Sequence, residues 1–197
     1  MKKIFIGFIL FALVFLSCSE KSAIEADKQE KISNVYLKAK QEQKKYKKYI
    51  KKFKYLIVID YDLPYTEDRL WVYNTETNKI IIKSKVSHAH KSGDLTAEKF
   101  SNKVGSGMSS LGSFVTLNSY KGKFGISMRL KGLEKNVNNN ALKRGIVFHD
   151  KKGYTWSLGC FMTEKTINKK LISLTKNGTF VYVHKTYSGH LPVGKSS

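Results

Sequence analysis

The chain has 197 residues, 41% hydrophobic and 12% aromatic, which is enough core for one ordinary domain plus a tail and excludes wholesale disorder. Lys and Arg number 36 against 15 Asp and Glu, a formal charge of +21 that favours polyanionic partners: nucleic acid, anionic lipid or a carboxylate-rich polymer. Two cysteines far apart in the chain, Cys18 and Cys160, exclude a disulfide framework and a zinc finger.

Lys2 and Lys3 precede an uninterrupted apolar run from Ile4 to Leu16. Its thirteen residues are too few to span a bilayer comfortably and match the core of a signal peptide. Phe15-Leu16-Ser17-Cys18 closes the run and resembles a bacterial lipoprotein lipobox, with Phe15 where Leu is usual. The resemblance implies loss of residues 1–17 as a signal peptide and lipidation of Cys18. The protein would then be exported and held at a bacterial membrane by its lipid anchor, facing the periplasm; Ser19 is compatible with outer-membrane sorting. An ordinary secretory signal, or an uncleaved anchor with an incidental cysteine, is the alternative.

Residues 18–52 form a Lys-rich tether without Gly or Pro, and residues 38–54 hold nine Lys against the single acid Glu42. Tyr46, Tyr49, Ile50 and Phe53 recur at helical spacing and predict a short amphipathic helix where the tether meets the domain. An exported chain meets no nucleic acid, so the run is expected to be a solvated tether docked by its aromatic stripe.

From Tyr55 the pattern is β. Residues 55–61, 69–74 and 79–87 are expected as strands with turns at 62–64 and 75–78; residues 114–117, 125–130, 145–149 and 179–184 are further strands. One helix follows, with Thr163 as N-cap, Glu164 in its first turn, Ile167, Leu171, Ile172 and Leu174 as its apolar face, and Asn177-Gly178 as its stop. The fold class is mainly β: a curved sheet or sandwich with a helix packed on it.

Cys160 follows Ser157-Leu158-Gly159, and His149 ends a strand eleven residues earlier, with Gly153 letting the chain double back between them. An imidazole near a thiol takes its proton and so activates a group that is only weakly ionised at neutral pH. Gly159 would let backbone N–H groups approach a developing oxyanion. The same residues also fit a buried, inert cysteine beside an ordinary histidine, and both readings stand at this point. Asp150 is a poor third member of a triad, because consecutive strand residues face opposite ways; a backbone carbonyl is the better orienter of His149. Arg129 and Arg144 stand out in a chain with 33 Lys and three Arg, and a guanidinium grips a carboxylate bidentately. Each is expected to hold either a substrate carboxylate or an internal acid such as Glu134. His88 and His90 at i, i+2 lack a third ligand, so no metal site is expected.

Several blocks occur in order: His88-Ala89-His90-Lys91-Ser92-Gly93, Phe100-Ser101-Asn102, Ser109-Ser110-Leu111-Gly112, residues 120–123 and 125–130, Gly132-Leu133-Glu134, Arg144, Ile146-Val147-Phe148-His149 and Ser157-Leu158-Gly159-Cys160. Together they resemble the murein L,D-transpeptidase catalytic-domain family, in the branch whose nucleophile loop is Ser-x-Gly-Cys. The resemblance implies an L,D-transpeptidase-type catalytic domain over residues 53–187, followed by a tail at 188–197. It implies that Cys160 attacks the third residue of a tetrapeptide stem of peptidoglycan, with His149 as base, forming a thioester that a second stem resolves into a 3→3 cross-link. Water as acceptor would trim the stem instead. Ser157, Leu158 and Gly159 form the nucleophile and oxyanion loop. His88, Ser92, Gly93, Ser109, Arg129 and Arg144 are the expected substrate contacts. No cofactor or metal is required, the partner is the stem peptide, and the protein acts as a monomer.

The chain departs from the family at two places. Leu158 stands where better-known members carry His in His-Gly-Cys, and Phe161-Met162 stand where this branch often has Pro-Ala. Both bear on substrate preference. The rival reading is a non-catalytic basic lipoprotein that binds the cell wall, or a host or other anionic ligand, on a degenerate transpeptidase scaffold.

Overall fold

The computed structural model describes the backbone of residues 3–186 and the side chains of residues 22–186. Lipidation at Cys18, the tail at 188–197 and His190 lie outside the described side chains. The chain divides into two compact units, Met1–Lys38 and Ala39–Ser197.

Helix α1 (Lys3–Lys45) occupies the first unit and its last turns lie in the second. The absence of Gly and Pro from residue 19 to residue 54 lets it run, and the pair Asp27–Lys31 at 2.7 Å adds an i,i+4 contact. Among the described residues no helix is long and apolar enough to cross a membrane. The short amphipathic helix expected over Tyr46 to Phe53 does not form. Instead α1 ends at Lys45, a 3-10 turn covers Lys47–Tyr49, and strand β1 (Lys52–Asp60) takes Phe53. The aromatic and β-branched residues 53–59 find ladder partners on both sides, and tertiary pairing overrides the helical spacing. Tyr46 stacks on Phe180 at 6.4 Å, and Ile50 is buried while Phe53 is half exposed.

The second unit is a single eight-stranded mixed sheet. Its strands are β1, β2 (Leu70–Asn74), β3 (Lys79–Ser84), β4 (Gly112–Gly122), β5 (Gly125–Gly132), β6 (Val147–Asp150), β7 (Phe161–Thr163) and β8 (Thr179–His184), with helix α2 (Lys165–Thr175) between β7 and β8. The order is β3-β2-β1-β8-β4-β5-β6-β7, parallel at β1–β8 and β6–β7 and antiparallel elsewhere. The mainly β class with a helix after the Cys160 loop is as the sequence predicts.

Strand β7 is an addition. Thr163 is not the N-cap of α2 but the last residue of β7, paired with Asp150; Glu164 occupies the cap without a side-chain hydrogen bond and pairs with Lys151 at 2.6 Å. Phe161, where the family branch often has Pro, is fully buried against Phe148 (5.1 Å) and Phe114 (6.1 Å). A buried side chain of this size contributes about 1.5–3 kcal/mol, so β7 is held by its core residue as much as by its ladder. Leu171 and Ile172 of α2 join the same core, and Asn168 donates Nδ2–H to the Ile126 carbonyl at 2.7 Å. The helix stops as Asn177-Gly178 predicts: both residues take positive φ, and the Gly178 N–H bonds the Thr116 carbonyl at 2.8 Å.

Candidate active site

The parallel pair β6–β7 builds the site. Phe148 and Phe161 are register partners whose rings enter the core. Alternation along each strand therefore sends His149 on one, and Cys160 and Met162 on the other, to the opposite face. There they line one cavity of about 550 Å3. Phe124, Tyr154, Trp156 and Leu158 supply most of the remaining wall, with His90 and Ser157. In a chain of charge +21, none of these residues is Lys, Arg, Asp or Glu.

His149 is buried and oriented by a backbone group: its Nδ1–H donates to the Asp150 carbonyl at 2.8 Å. In the neutral ring the lone pair is then on Nε2. The ring stacks on Phe124, centroids 4.7 Å apart and planes at 23°. Burial holds its pKa below the ordinary imidazole value, so the ring is neutral near pH 7 and able to accept a proton. The Asp150 carboxylate accepts the Lys152 N–H at 3.1 Å and serves the turn.

Cys160 is partly exposed, and its thiol donates to the Gly145 carbonyl at 3.5 Å. Among the described residues no hydrogen bond joins it to His149, although both line the cavity. Burial pushes the thiol pKa up; the Val147 amide and the Arg144 guanidinium act in the other direction without reversing it. The resting group is a neutral thiol that needs a base to become a nucleophile.

The nucleophile loop is fixed from two sides. Ser157 donates its N–H to the His88 carbonyl (3.1 Å) and accepts the His90 N–H (3.0 Å), so residues 88–90 and the loop form a short parallel bridge. The Gly159 N–H bonds Ser157 Oγ at 3.1 Å. Glycine is required there by φ +136° and by space: a Cβ would lie 2.7 Å from Ile146 Cδ1 and 3.2 Å from the Met108 carbonyl. It packs closely there, and its own amide is given to Ser157 Oγ. Leu158 projects into solvent at the cavity mouth, 74% exposed.

The expected substrate contacts fall elsewhere. His88 is fully buried, accepts from Arg69 Nη2 at Nδ1 (2.8 Å) and donates from Nε2 to the Gly93 carbonyl (2.9 Å); it supports the site from behind, and His90 lines the cavity instead. Ser92 and Ser109 are buried links, with Ser92 Oγ accepting the Ser109 N–H (2.8 Å) and Ser109 Oγ accepting the Ala89 N–H (2.9 Å). Position 93 requires glycine, since φ is +146° and a Cβ would sit 2.2 Å from the Thr96 carbonyl oxygen. Arg129 lies over the Tyr120 ring at 3.9 Å, away from the cavity. Arg144 donates to the carbonyls of Ser101 and Met108 and to Ser106 and Ser110 Oγ, tying residues 101–110 beside Gly159. Glu134 accepts the Ser113 N–H at 2.7 Å and pairs with neither arginine. His88, Ser92, Ser109 and Arg144 are thus supports within the fold, because a buried polar side chain is first recruited to satisfy buried carbonyls and amides, whereas Arg129 is held by the Tyr120 ring.

The aromatic wall escapes sequence reasoning. Phe124 is the second residue of the two-residue turn joining β4 and β5, between Gly122 and Gly125, where an apolar ring is out of place in a solvated hairpin; that mismatch is the available signal. Trp156 packs on Tyr65 (4.7 Å) and His88 (4.9 Å), behind the loop. Asp60, Asp62 and His184 bring three metal-ligand atoms within 4.8 Å of one another, but Lys185 Nζ already lies 3.5 Å from Asp62.

Solved structures are similar to this one, three of them as follows. The helical cell shape determining protein of Campylobacter jejuni, as a single-site variant, is 14% identical with TM-score 0.50 over 71% of this chain and 50% of that one. An L,D-transpeptidase from Stackebrandtia nassauensis is 16% identical with TM-score 0.44, over 71% of this chain and 59% of that one. The L,D-transpeptidase from Mycobacterium smegmatis is 14% identical with TM-score 0.44, over 67% and 59%. The matched part spans about half to three-fifths of those structures. No curated protein matches the chain. The family model described as the L,D-transpeptidase catalytic domain matches residues 24–184, and the chain belongs to that family.

Proposed function

We propose that the protein is a peptidoglycan L,D-transpeptidase working through a Cys160 thioester. The observation that carries this reading is the shared cavity: the thiol and the free Nε2 side of a neutral, backbone-oriented imidazole border one space. His149 Nε2 takes the thiol proton as the sulfur leaves the Gly145 carbonyl. The thiolate attacks the carbonyl of the third stem residue, the C–N bond to D-alanine breaks, and the proton held on His149 passes to the departing amine. The Gly159 N–H is already given to Ser157 Oγ, so the oxyanion would be met by other backbone N–H groups of the loop. A second stem's amine attacks the thioester to give a 3→3 link, while water gives a trimmed stem.

Incubation of the protein with a tetrapeptide stem should add the acyl mass to Cys160, and Cys160→Ala should take up none. If the unmutated protein never gains mass while Cys160→Ala still binds the stem, the second reading holds, a non-catalytic wall-binding module. The exposed Leu158 and the thiol's bond to Gly145 favour that alternative. We further propose that the protein acts as a monomer, exported and lipid-anchored through Cys18 in the periplasm. A fatty-acid analogue should label it and not its Cys18→Ala variant.

A further inference from the structure

The β4–β5 hairpin brings its tip to His149. Its turn residues are Lys123 and Phe124, and Gly125 follows at φ +84°, a conformation that lets a tight turn rejoin its ladder. The hairpin is held along its length. Arg129 lies over the Tyr120 ring at 3.9 Å, and Asn168 of α2 donates to the Ile126 carbonyl at 2.7 Å. At the tip, Lys152 Nζ donates to the Lys123 carbonyl at 2.9 Å. Phe124 is therefore carried to a fixed place. It lies nearly parallel to the His149 imidazole at 4.7 Å and 23°, and the Tyr154 ring stands across it at 6.1 Å and 87°.

A histidine ring needs such support. The χ2 torsion of histidine is broad and roughly two-fold, so the surroundings must choose the plane of the ring and which nitrogen faces where. Among the described residues His149 makes one ring hydrogen bond, from Nδ1 to the Asp150 carbonyl, and a single bond leaves the ring free to tilt about it. A near-parallel ring at stacking distance removes that tilt and keeps water off one face. We infer that Phe124 is a positioning residue: it sets the plane of the His149 imidazole so that Nε2 is turned to the cavity shared with Cys160. The inference rests on the thioester reading for the proton that Nε2 collects, while the clamp on the ring stands without it. The titratable groups around the ring are Asp150 beside it and His90, Tyr154 and Cys160 on the cavity, with Lys123 and Lys152 at the hairpin tip. Phe124 adds no charge to that set, and what it contributes is geometry and the exclusion of water.

The test uses the full-length protein with Phe124→Ala, Phe124→Leu and Phe124→Tyr. With a tetrapeptide stem, Phe124→Ala should lower the saturating rate of Cys160 acylation roughly 10- to 100-fold and leave the half-saturating stem concentration nearly unchanged, the mark of lost alignment and not of a lost substrate contact. Phe124→Tyr keeps the flat ring and should restore the unmutated rate. Phe124→Leu keeps an apolar wall without the plane and should be slowed as Phe124→Ala is. Iodoacetamide alkylation of Cys160 makes the comparison with no stem present. Its pH midpoint should rise in Phe124→Ala toward that of His149→Gln, and adding Phe124→Ala to His149→Gln should move it no further, because a residue that acts through the imidazole then has nothing left to position. An unchanged acylation rate in Phe124→Ala, a loss confined to the half-saturating concentration, full rescue by Phe124→Leu, or additive effects of the two substitutions would each overturn the clamp. If the stem never acylates Cys160 while the alkylation midpoint still depends on Phe124 through His149, the thioester reading fails and the clamp stands.

Discussion

Arg69 donates from Nη2 to Nδ1 of His88 at 2.8 Å, with both side chains fully buried. Because a guanidinium can only donate, Nδ1 is the acceptor and Nε2 carries the proton given to the Gly93 carbonyl. The pair is a spacer: the His88 carbonyl holds Ser157, three residues from the sulfur. His88→Ala would strand a buried Arg69 donor and open a cavity, a loss of about 2–4 kcal/mol by urea unfolding. A loss below about 0.5 kcal/mol would show that this hydrogen bond contributes little.

The stability profile against pH should have two opposed components. His88 and His149 are held below the ordinary imidazole value, chiefly by burial. Below pH of about 6.5 the unfolded chain takes up protons that the folded chain refuses, so their contribution is full above that pH and is lost on acidification. Asp60 works in the other sense. Burial raises its carboxyl from 3.8 to about 6, so its contribution is present at low pH and lost as pH rises through that value. Asp60→Asn should therefore raise stability at pH near 7.5 by about 1–3 kcal/mol, an advantage that fades toward pH near 4. Thermal melts across that range would show it, and a destabilised Asn variant at the higher pH would contradict the buried-charge account.

Gly159→Ala should leave little folded, active protein. The new Cβ meets Ile146 Cδ1 at 2.7 Å on a backbone at φ +136°. Coupling it to Ile146→Ala relieves the clash and not the dihedral, so recovery of soluble protein should be partial. Full recovery would mean that φ is not the constraint.

His149→Gln should slow acylation of Cys160 by roughly 10²–10⁴-fold, the usual worth of a positioned base. Iodoacetamide labelling followed against pH gives a second readout, in which the apparent thiol pKa should rise in the variant. Should both stay unchanged, the base is another residue, and His90 on the same cavity is the one to replace next.

Strands of five or more residues were legible because their alternation or β-branched runs exceed the noise of single residues, as in residues 55–61 and 179–184. β7 has three residues, too few for a period, and Thr163 in front of a helical pattern looks like a cap. The placement of Cys160 and His149 on one cavity follows from strand parity once the pairing Phe148–Phe161 is known. Parity was available in the sequence; the pairing was not. Arg144 and His88 misled for a shared reason, since a polar side chain looks alike whether it meets a ligand or a buried carbonyl.

Among the described residues the last strand in sequence is a middle strand of the sheet. β8 separates β1, whose parallel partner it is, from β4, and so joins the two halves β3-β2-β1 and β4-β5-β6-β7. A nascent chain that has not yet released Thr179–His184 has two partial sheets, each with an unprotected edge, and no way to close them. Completion of the sheet must wait for Thr179–His184, and closure between β1 and β8, more than a hundred positions apart, makes it slow. A chain truncated anywhere before residue 179 should therefore yield aggregated material and not a smaller domain.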